Sequence, residues 1–340
     1  MGGDGAPEIV VKGAALASMK LPGAAFLLFG DEAKLTPLVD AEPALRGRVN
    51  IRHTDVVISS SDKPSVALRK GKKSSMRLAI DAVRDGDAHC VVSAGNTGAL
   101  MAMSMFSLRT LDGIDRPAIS SIFPSMHGTT CMLDLGANVD CDSDNLVQFA
   151  VMGEVFVRTV LNIKRPTIGL LNVGVEELKG RDEVKQAAAK LRELDLPIDF
   201  IGFIEGDDIG KGTVDVVVTD GFTGNVALKT IEGTSKLITA FLKDAFTANL
   251  FTRMCYLFAM RPLNMLRRRV DPRLYNGAVF LGLNGIAVKS HGGTDGFGFS
   301  HAIGVAADMA KNDFINRMRD DIESLNMDTQ NSNSQKAVTS

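Results

Sequence analysis

The hydrophobic positions of the 340-residue chain fall into short apolar runs, each followed by a polar turn and then by a helical pattern. Runs rich in Val, Ile, Leu and Phe without polar alternation are typical of strands buried on both faces. Since helices alternate with these strands, we predict a doubly wound, mostly parallel α/β fold. Six runs define its strands: Ala24–Phe29, His89–Ser93, Cys131–Asp134, Thr167–Val173, Ile198–Ile204 and Val214–Asp220.

The predicted strands and helices extend over most of the chain as one unit. Helical patterns cover Ala99–Leu108, begin near Asn145, cover Glu183–Leu194 and follow Asn225. A hydrophobic share of 45% is enough for a sizeable core at this length. We therefore predict one catalytic domain over 1–325, carrying an amphipathic helical insertion over 241–275, and a disordered polar tail over 326–340.

The insertion differs from the rest of the pattern. It is rich in Phe, Leu and Met, contains Pro262 and continues into an arginine run at 267–269. Because proline interrupts helices, we expect a break at Pro262 in a segment that protrudes from the domain. Four of its residues share one helical face: Phe251, Met254, Cys255 and Phe258.

Charge and composition exclude several classes of protein. The formal net charge of −2 indicates no general attraction to nucleic acid, so any affinity for anions must come from local clusters. The four cysteines lie far apart, which is typical of a reducing cytoplasm. The chain has no secretory leader pattern and no run of roughly 20 apolar residues, so we predict a cytoplasmic protein without a membrane span.

Polar turns with glycine follow the predicted strands. In a parallel sheet, ligands bind beyond the carboxyl ends of the strands, where glycine permits close approach and the next helix attracts an anion. An ordinary tight turn is the alternative interpretation of any one such loop. The strongest of them follows His89–Ser93, and its candidate phosphate ligands are Ser93, Gly95, Asn96, Thr97 and Gly98.

The same pattern recurs after two further strands. Asp134–Asn138 follows one of them, and Asp220–Asn225 follows the other. Each loop alone could be merely structural. Three such loops at presumed strand ends predict a shared polar crevice.

Cationic and polar side chains near these loops are further candidates for binding. Lys73 and Ser74 precede a helical stretch, although a solvated basic face and an N-cap at Ser74 are the simpler interpretation. Lys179 follows a buried strand and can offer a compact positive charge to phosphate or to an oxyanion. His291 lies in another glycine-rich loop, where a lone histidine is more often a surface or capping residue.

Standard nucleotide and metal motifs are absent from the sequence. We find no P-loop, dinucleotide fingerprint, nucleophile elbow or zinc-protease motif. The cysteines and aspartates between 131 and 142 mix soft and hard ligands at irregular spacing, which disfavours a metal. The residues by themselves predict an α/β enzyme that handles a small anion without a cofactor or a metal.

At these same loops the sequence closely resembles the phosphate acyltransferase family of bacterial phospholipid synthesis. Val175 stands where that family commonly has an acidic residue, and Gly5 replaces a frequent histidine. The family also has a short strand before its first Gly-Gly-Asp, so we expect the natural chain to begin a few residues before Met1. The matching motifs run in order: Met1–Asp4 with Pro7-Glu8, Lys72–Met76, Ser93–Met101, Leu133–Asp140, Leu171–Gly180, Thr219–Gly233, Asp271–Arg273 with Tyr275, and Gly282–Gly292.

The resemblance implies transfer of a long-chain acyl group from acyl carrier protein to orthophosphate, which gives acyl phosphate and free carrier. It also implies a homodimer and a fold related to phosphotransacetylases and isopropylmalate dehydrogenases. Orthophosphate is already nucleophilic, so the site must chiefly position two anionic partners and stabilise the thioester oxyanion. Our hypothesis takes Lys179, Asn225 and Asp220 as the catalytic residues. Phosphate is assigned to the Ser93–Gly98 loop and Lys179, while Asn225 and Asn138 donate to phosphate or the acyl carbonyl and Asp220 orients one of these groups.

Several alternatives stay open. The amphipathic segment could be a core or dimer-interface helix, a peripheral membrane contact over 241–273, or a docking face for the acidic carrier protein. Two alternative functions are a phosphotransacetylase that uses a short acyl-CoA and a non-catalytic membrane-associated scaffold. A decarboxylating dehydrogenase is disfavoured, because no aspartate cluster suits a divalent metal.

Overall fold

The computed structural model describes residues 1–193 and 198–325, and the predicted tail over 326–340 lies outside them. The strands are β1 Phe26–Gly30, β2 Val49–His53, β3 Cys90–Ser93, β4 Ala118–Ser125, β5 Gly128–Leu133, β6 Thr167–Leu171, β7 Asp199–Ile204, β8 Val216–Val218, β9 Ala278–Leu281 and β10 Ile286–Lys289. The helices are α1 Glu8–Lys20, α2 Glu32–Asp40, α3 Pro64–Lys70, α4 Ser75–Arg84, α5 Thr97–Leu108, α6 Ser143–Val160, α7 Asp182–Glu193, α8 Asp208–Lys211, α9 Gly221–Thr247, α10 Leu250–Arg269 and α11 Gly296–Lys311. Residues 314–325 form a further helix.

The predicted α/β class is confirmed, and each of the six predicted strands is present. They correspond to β1, β3, β5, β6, β7 and β8, within a few residues at either end. The main sheet has the order β3-β10-β9-β4-β5-β8-β6-β7, while β1 and β2 form a separate parallel pair. The pattern missed β2, β4, β9 and β10, and three of these lie in the main sheet.

The missed strands reverse the direction of the sheet. β3 and β10 are parallel, but β10 with β9, β9 with β4 and β4 with β5 are all antiparallel pairs. Three reversals leave β5, β8, β6 and β7 running opposite to β3. The loop after β3 therefore lies at one edge of the sheet, and the loops after β5 and β8 lie at the other. The prediction that all three loops share one crevice is wrong within a single chain.

Helices cover both faces of the main sheet. On one face, α6 is buried along almost its whole length, and Phe156 packs edge to face on Phe314 with ring centroids 6.3 Å apart. On the other face, α4 and α5 pack over the sheet through Ile80, Leu100 and Met103. The small β1–β2 sheet has its own core with α1 and α2, and α1 packs against α11. The loops at the carboxyl ends of β3 and β10 therefore lie between the main sheet and the small β1–β2 sheet.

The predicted insertion over 241–275 is part of a longer helical hairpin. α9 begins at Gly221, directly after β8, and α10 continues without a break through Pro262 to Arg269. The predicted break at Pro262 is therefore wrong. Pro262 is exposed, so water can satisfy the carbonyl group that the proline leaves without a helical donor.

The hairpin is tied to the domain at its end but leaves its apolar face uncovered. The rings of Phe246 and Tyr256 lie 5.5 Å apart between the two helices, and Arg269 Nη2 donates to the Met126 carbonyl oxygen at 2.9 Å. The exposed fractions of Phe251 and Phe258 are 73% and 85%. A core role for this face, one of the alternatives above, is therefore wrong.

We predict that Gly224→Ala destabilises the protein whereas Gly233→Ala, in the same helix, does not. A Cβ at Gly224 would overlap the Asp134 carbonyl oxygen, and such overpacking costs roughly 1–3 kcal/mol. A Cβ at Gly233 meets nothing within 4 Å, so alanine there should stabilise the exposed helix by about 0.5–1 kcal/mol. Urea unfolding of both variants measures the difference, and equal midpoints would contradict the close packing of α9 on the β5 loop.

Candidate functional site

The loop after β3 forms the start of α5, and Asn96 holds it in place. The Asn96 Oδ1 accepts from the Ala99 N–H at 3.0 Å and so caps the helix. Its Nδ2 donates to the carbonyl oxygens of Ser59, Ser60 and Asp62 at 2.9–3.2 Å. Asn96 therefore positions the loop, because its amide is already engaged by the 59–62 segment.

The first N–H groups of α5 are the donors that this loop leaves free. Thr97 N–H and Gly98 N–H have no acceptor among the residues that the structure describes. Ser93 Oγ accepts from the Gly95 N–H at 3.2 Å, which shapes the turn. Free N–H groups at a helix N-terminus attract anions.

The opposite wall of the site comes from the start of the chain and from the end of β10. Asp4 N–H donates to the Gly292 carbonyl oxygen at 2.9 Å, and Ser290 N–H donates to the Ser93 carbonyl oxygen at 2.8 Å. Gly3 has a φ of 101°, and a Cβ there would lie 2.8 Å from the Ala94 Cβ. Between these walls lies a cavity of about 530 Å³, which we call the β3–β10 cavity; its lining includes 1–4, 57–58, Ser60, 94–98, Lys289 and Gly292.

Lys289 is the principal site residue that sequence reasoning missed. It is the last residue of β10, its exposed fraction is 9%, and its Nζ donates to the carbonyl oxygens of Ser290 and, at 3.4 Å, of Ala94. Burial lowers the pKa of Lys289 to about 8, although the nearby Asp4 carboxylate favours the charged form. The available signal was a lysine directly after the apolar residues Ile286–Val288, whereas the prediction from the sequence named His291 in the following loop.

The other candidates near this cavity have mainly structural contacts. Ser74 is fully buried, caps α4 by accepting from the Arg77 N–H at 3.2 Å, and donates to the Gly71 carbonyl oxygen. His291 Nδ1 accepts from the Gly293 N–H at 3.1 Å and shapes its own loop. The Lys73 carbonyl oxygen accepts from Thr54 Oγ1, and the Lys73 residue is exposed.

A second polar cluster lies at the opposite edge of the sheet, around Asp134. This fully buried carboxylate accepts from the N–H groups of Ile119, Gly136, Ala137 and Asn138 and from the Asn138 Nδ2. Burial raises the pKa of Asp134, and these hydrogen bonds oppose that shift. Asn138 Nδ2 also donates to the Pro117 carbonyl oxygen at 2.8 Å, so both of its amide hydrogens are already engaged.

Asp220 extends this second cluster to the start of α9. It caps the helix by accepting from the Thr223 N–H at 2.8 Å, and its other oxygen accepts from Thr223 Oγ1 and from Arg181 Nη1 at 3.2 Å. Arg181 was not among the predicted site residues. Asn225 is exposed on α9 and lies beside Gly136 of the β5 loop.

Lys179 lies apart from both groups of residues. Its side chain is 52% exposed and forms an ion pair with Glu176 at 2.8 Å, which raises the pKa of Lys179. Its carbonyl oxygen accepts from Asn172 Nδ2 at 3.0 Å. No hydrogen bond or ion pair between described residues joins Lys179 to Asn225 or Asp220, or joins the Asp134 cluster to the β3–β10 cavity.

Two further observations concern metal sites and membrane-spanning helices. In residues 1–193 and 198–325, no group of three or more His, Cys, Asp or Glu side chains could hold a metal ion. Within the same ranges, every helix is too short or too polar to cross a membrane.

Comparison with known proteins places the chain among relatives of one kind. Residues 1–317 match the model of a family described as fatty acid synthesis protein. The phosphate acyltransferase of Paramagnetospirillum magneticum is 58% identical over 325 residues, covering 96% of this chain and 93% of the relative. The phosphate acyltransferase of Rhodospirillum centenum is also 58% identical over 325 residues, covering 96% of this chain and 92% of the relative.

A solved structure supports the predicted fold. A phosphotransacetylase from Streptococcus pyogenes superposes with a TM-score of 0.60 at 16% identity, covering 90% of this chain and 92% of that one. This similarity establishes the fold that the sequence predicted.

We predict that the burial of Lys289 makes stability depend on pH. The pKa of Lys289 is about 8 when folded and near 10.5 when unfolded, so the unfolded chain binds more protons between these values and stability contributed by this group rises with pH. The wild type should therefore gain up to about 3 kcal/mol relative to Lys289→Met as the pH is raised from 7.5 to 10.5. Urea unfolding at both pH values measures the gain. A difference that does not change with pH would contradict a buried ammonium.

Proposed function

The chain belongs to the fatty acid synthesis protein family, and we propose from this membership that it is a phosphate acyltransferase that transfers a long-chain acyl group from acyl carrier protein to orthophosphate. The observation that carries the proposal is the 58% identity to phosphate acyltransferases over nearly the whole chain. The products are an acyl phosphate and the free carrier. The proposed site of action is the cytoplasm, at the surface of the membrane.

The β3–β10 cavity is the proposed phosphate site. Its free Thr97 and Gly98 N–H groups and the N-terminus of α5 suit an oxyanion, and the close-packed Gly3 lets the backbone approach it. In the proposed reaction a phosphate oxygen bonds to the thioester carbonyl carbon while the C–S bond breaks. The proton of hydrogenphosphate ends on the carrier thiolate, so charge and atoms balance without a cofactor.

Lys179, Asn225 and Asp220 remain the proposed catalytic residues. Lys179 was assigned to phosphate from the sequence, but it does not line the β3–β10 cavity, so we propose it for the acyl donor together with Asn225 and Asp220. Lys179 and Asn225 are exposed and able to meet a second molecule, whereas Asp220 fixes the helix that carries Asn225. We propose a homodimer, because the strand-end loops that the reaction must combine lie at opposite edges of the sheet in one chain. A neighbouring protomer could supply the second set of loops.

We predict that the purified protein releases free thiol from palmitoyl-acyl carrier protein only when phosphate is present. Hydroxylamine should trap the acyl phosphate in the same reaction, which excludes simple thioester hydrolysis. Release with acetyl-CoA but not with the carrier would instead favour a short-chain phosphotransacetylase. No release from either donor would contradict an enzymatic function.

Variants in the same assay test the assignment of the donor site. Lys179→Ala and Asn225→Ala should each lower turnover by about 10²-fold, because each removes a group proposed to stabilise developing charge. Lys185→Ala removes a nearby ion-paired lysine and should retain normal turnover. Near-normal turnover in both site variants would contradict their assignment.

We propose that the segment 241–273 contacts the membrane, chiefly through the exposed apolar face of α10. Phe251, Met254 and Phe258 are exposed together, and Arg253, Arg261 and Arg268 of the same helix add positive charge. An apolar face flanked by arginines is suited to the surface of an anionic bilayer.

We predict that the wild type floats with vesicles of anionic lipid at low salt and that Phe251→Asp/Phe258→Asp does not. The aspartates place charge where apolar side chains would enter the bilayer. Met19→Asp changes an apolar residue on α1 that is 67% exposed, and this variant should float as the wild type does. Light scattering on the same samples measures the oligomeric state and so tests the alternative role of this face as a dimer interface. If the double variant becomes monomeric and the wild type never floats, this face is a dimer interface.

A further inference from the structure

Lys289 is a buried positive charge without a buried negative partner among residues 1–193 and 198–325. Its side chain reaches the wall of the β3–β10 cavity and contacts the carbonyl oxygens of Ala94 and Ser290. It forms no ion pair with any residue that the structure describes. Carbonyl oxygens satisfy the hydrogens of an ammonium group but leave its charge uncompensated.

The cavity offers few groups that could compensate this charge. Asp4 also lines it and favours the charged form of Lys289, but the Asp4 carboxylate is exposed and makes no ion pair with the lysine. None of the remaining lining side chains is acidic; with the free N–H groups of Thr97 and Gly98 the lining comprises glycines, Ala6 and Ala94, the apolar side chains of Met1, Val57 and Ile58, and the uncharged polar side chains of Ser60, Asn96 and Thr97. Donors therefore face the cavity from the start of α5, and a buried cation faces it from the end of β10.

We propose that Lys289 binds the reacting phosphate directly and is its main counter-ion, opposite the N-terminus of α5. The inference rests on the proposed function, and it names the cation that the phosphate site needs. The phosphate charge then offsets the buried ammonium, and the ammonium outweighs the repulsion from Asp4. Lys179, by contrast, already has Glu176 as its counter-ion.

A purely structural role is the competing explanation, since Lys289 links the β3 and β10 loops through two carbonyl groups. Lys289→Gln separates the two roles, because glutamine keeps N–H donors for these carbonyls but carries no charge. Lys289→Arg keeps the charge. Lys311→Gln removes an equal charge from the exposed end of α11 and is the matched control.

The test measures steady-state kinetics with phosphate and palmitoyl-acyl carrier protein varied separately. Lys289→Gln should raise the KM for phosphate by about 10- to 100-fold, the effect of losing a charged hydrogen-bond partner, with little change in the KM for the carrier. Lys289→Arg should show a smaller increase, and Lys311→Gln none. An unchanged KM for phosphate in Lys289→Gln, or an equal change for both substrates, would overturn the proposal.

A binding measurement on the wild type needs neither a variant nor turnover. In protein labelled with ¹⁵N-lysine, the Lys289 Nζ signal should shift on addition of inorganic phosphate but not of chloride at equal ionic strength. A shift without any acyl transfer would support this site and contradict the proposed function. Acyl transfer without a phosphate-dependent shift would support the proposed function and contradict phosphate binding by Lys289.

Discussion

The reversal of strand direction in the middle of the main sheet is the constraint on which the arrangement of functional groups depends. Because of the three antiparallel pairings around β9 and β4, the strands β3 and β10 run in the opposite direction to β5, β8, β6 and β7. Loops that follow strands in the two halves must therefore point to opposite edges. The glycine-rich loop after β3 meets the end of β10 and the start of the chain, whereas the Asp134 and Asp220 loops meet each other.

The two loop clusters differ in how their polar groups are used. In the Asp134 cluster, the backbone and amide N–H groups donate to the buried carboxylates of Asp134 and Asp220. These hydrogen bonds make the cluster a rigid support for the start of α9. In the β3–β10 cavity, two helix N–H groups and a lysine lack an anionic partner within the described part of the chain. Unused donors around a cavity are suited to binding, because a ligand can supply the missing interaction.

The helical hairpin adds a surface of a different kind. Only Gly221 and Gly224 of α9 are buried, and no described residue of α10 is buried. Arg269 ties the end of α10 to the β4–β5 turn. The phenylalanines on α10 stay exposed because no other element of the described chain covers them. The proposed phosphate site at the end of β3 and the exposed apolar face of α10 match the two chemical demands of an enzyme that handles an anion and a lipid.

The sequence by itself determined the α/β class, six of the strands, the glycine-rich loop after β3 and, through its motifs, the family. These are local properties: apolar runs, turns and helix caps are visible in neighbouring residues. It did not reveal β4, because Ser120 and Ser121 interrupt the apolar pattern, and only the fold shows that Ser120 is buried against Cys131 Sγ at 3.0 Å. Without β4 and β9 the direction of the strands could not be predicted, and the separation of the loops followed from that direction. The burial of Lys289 was likewise decided by the tertiary structure, because it depends on Ala94 and the first residues of the chain, which are distant in sequence.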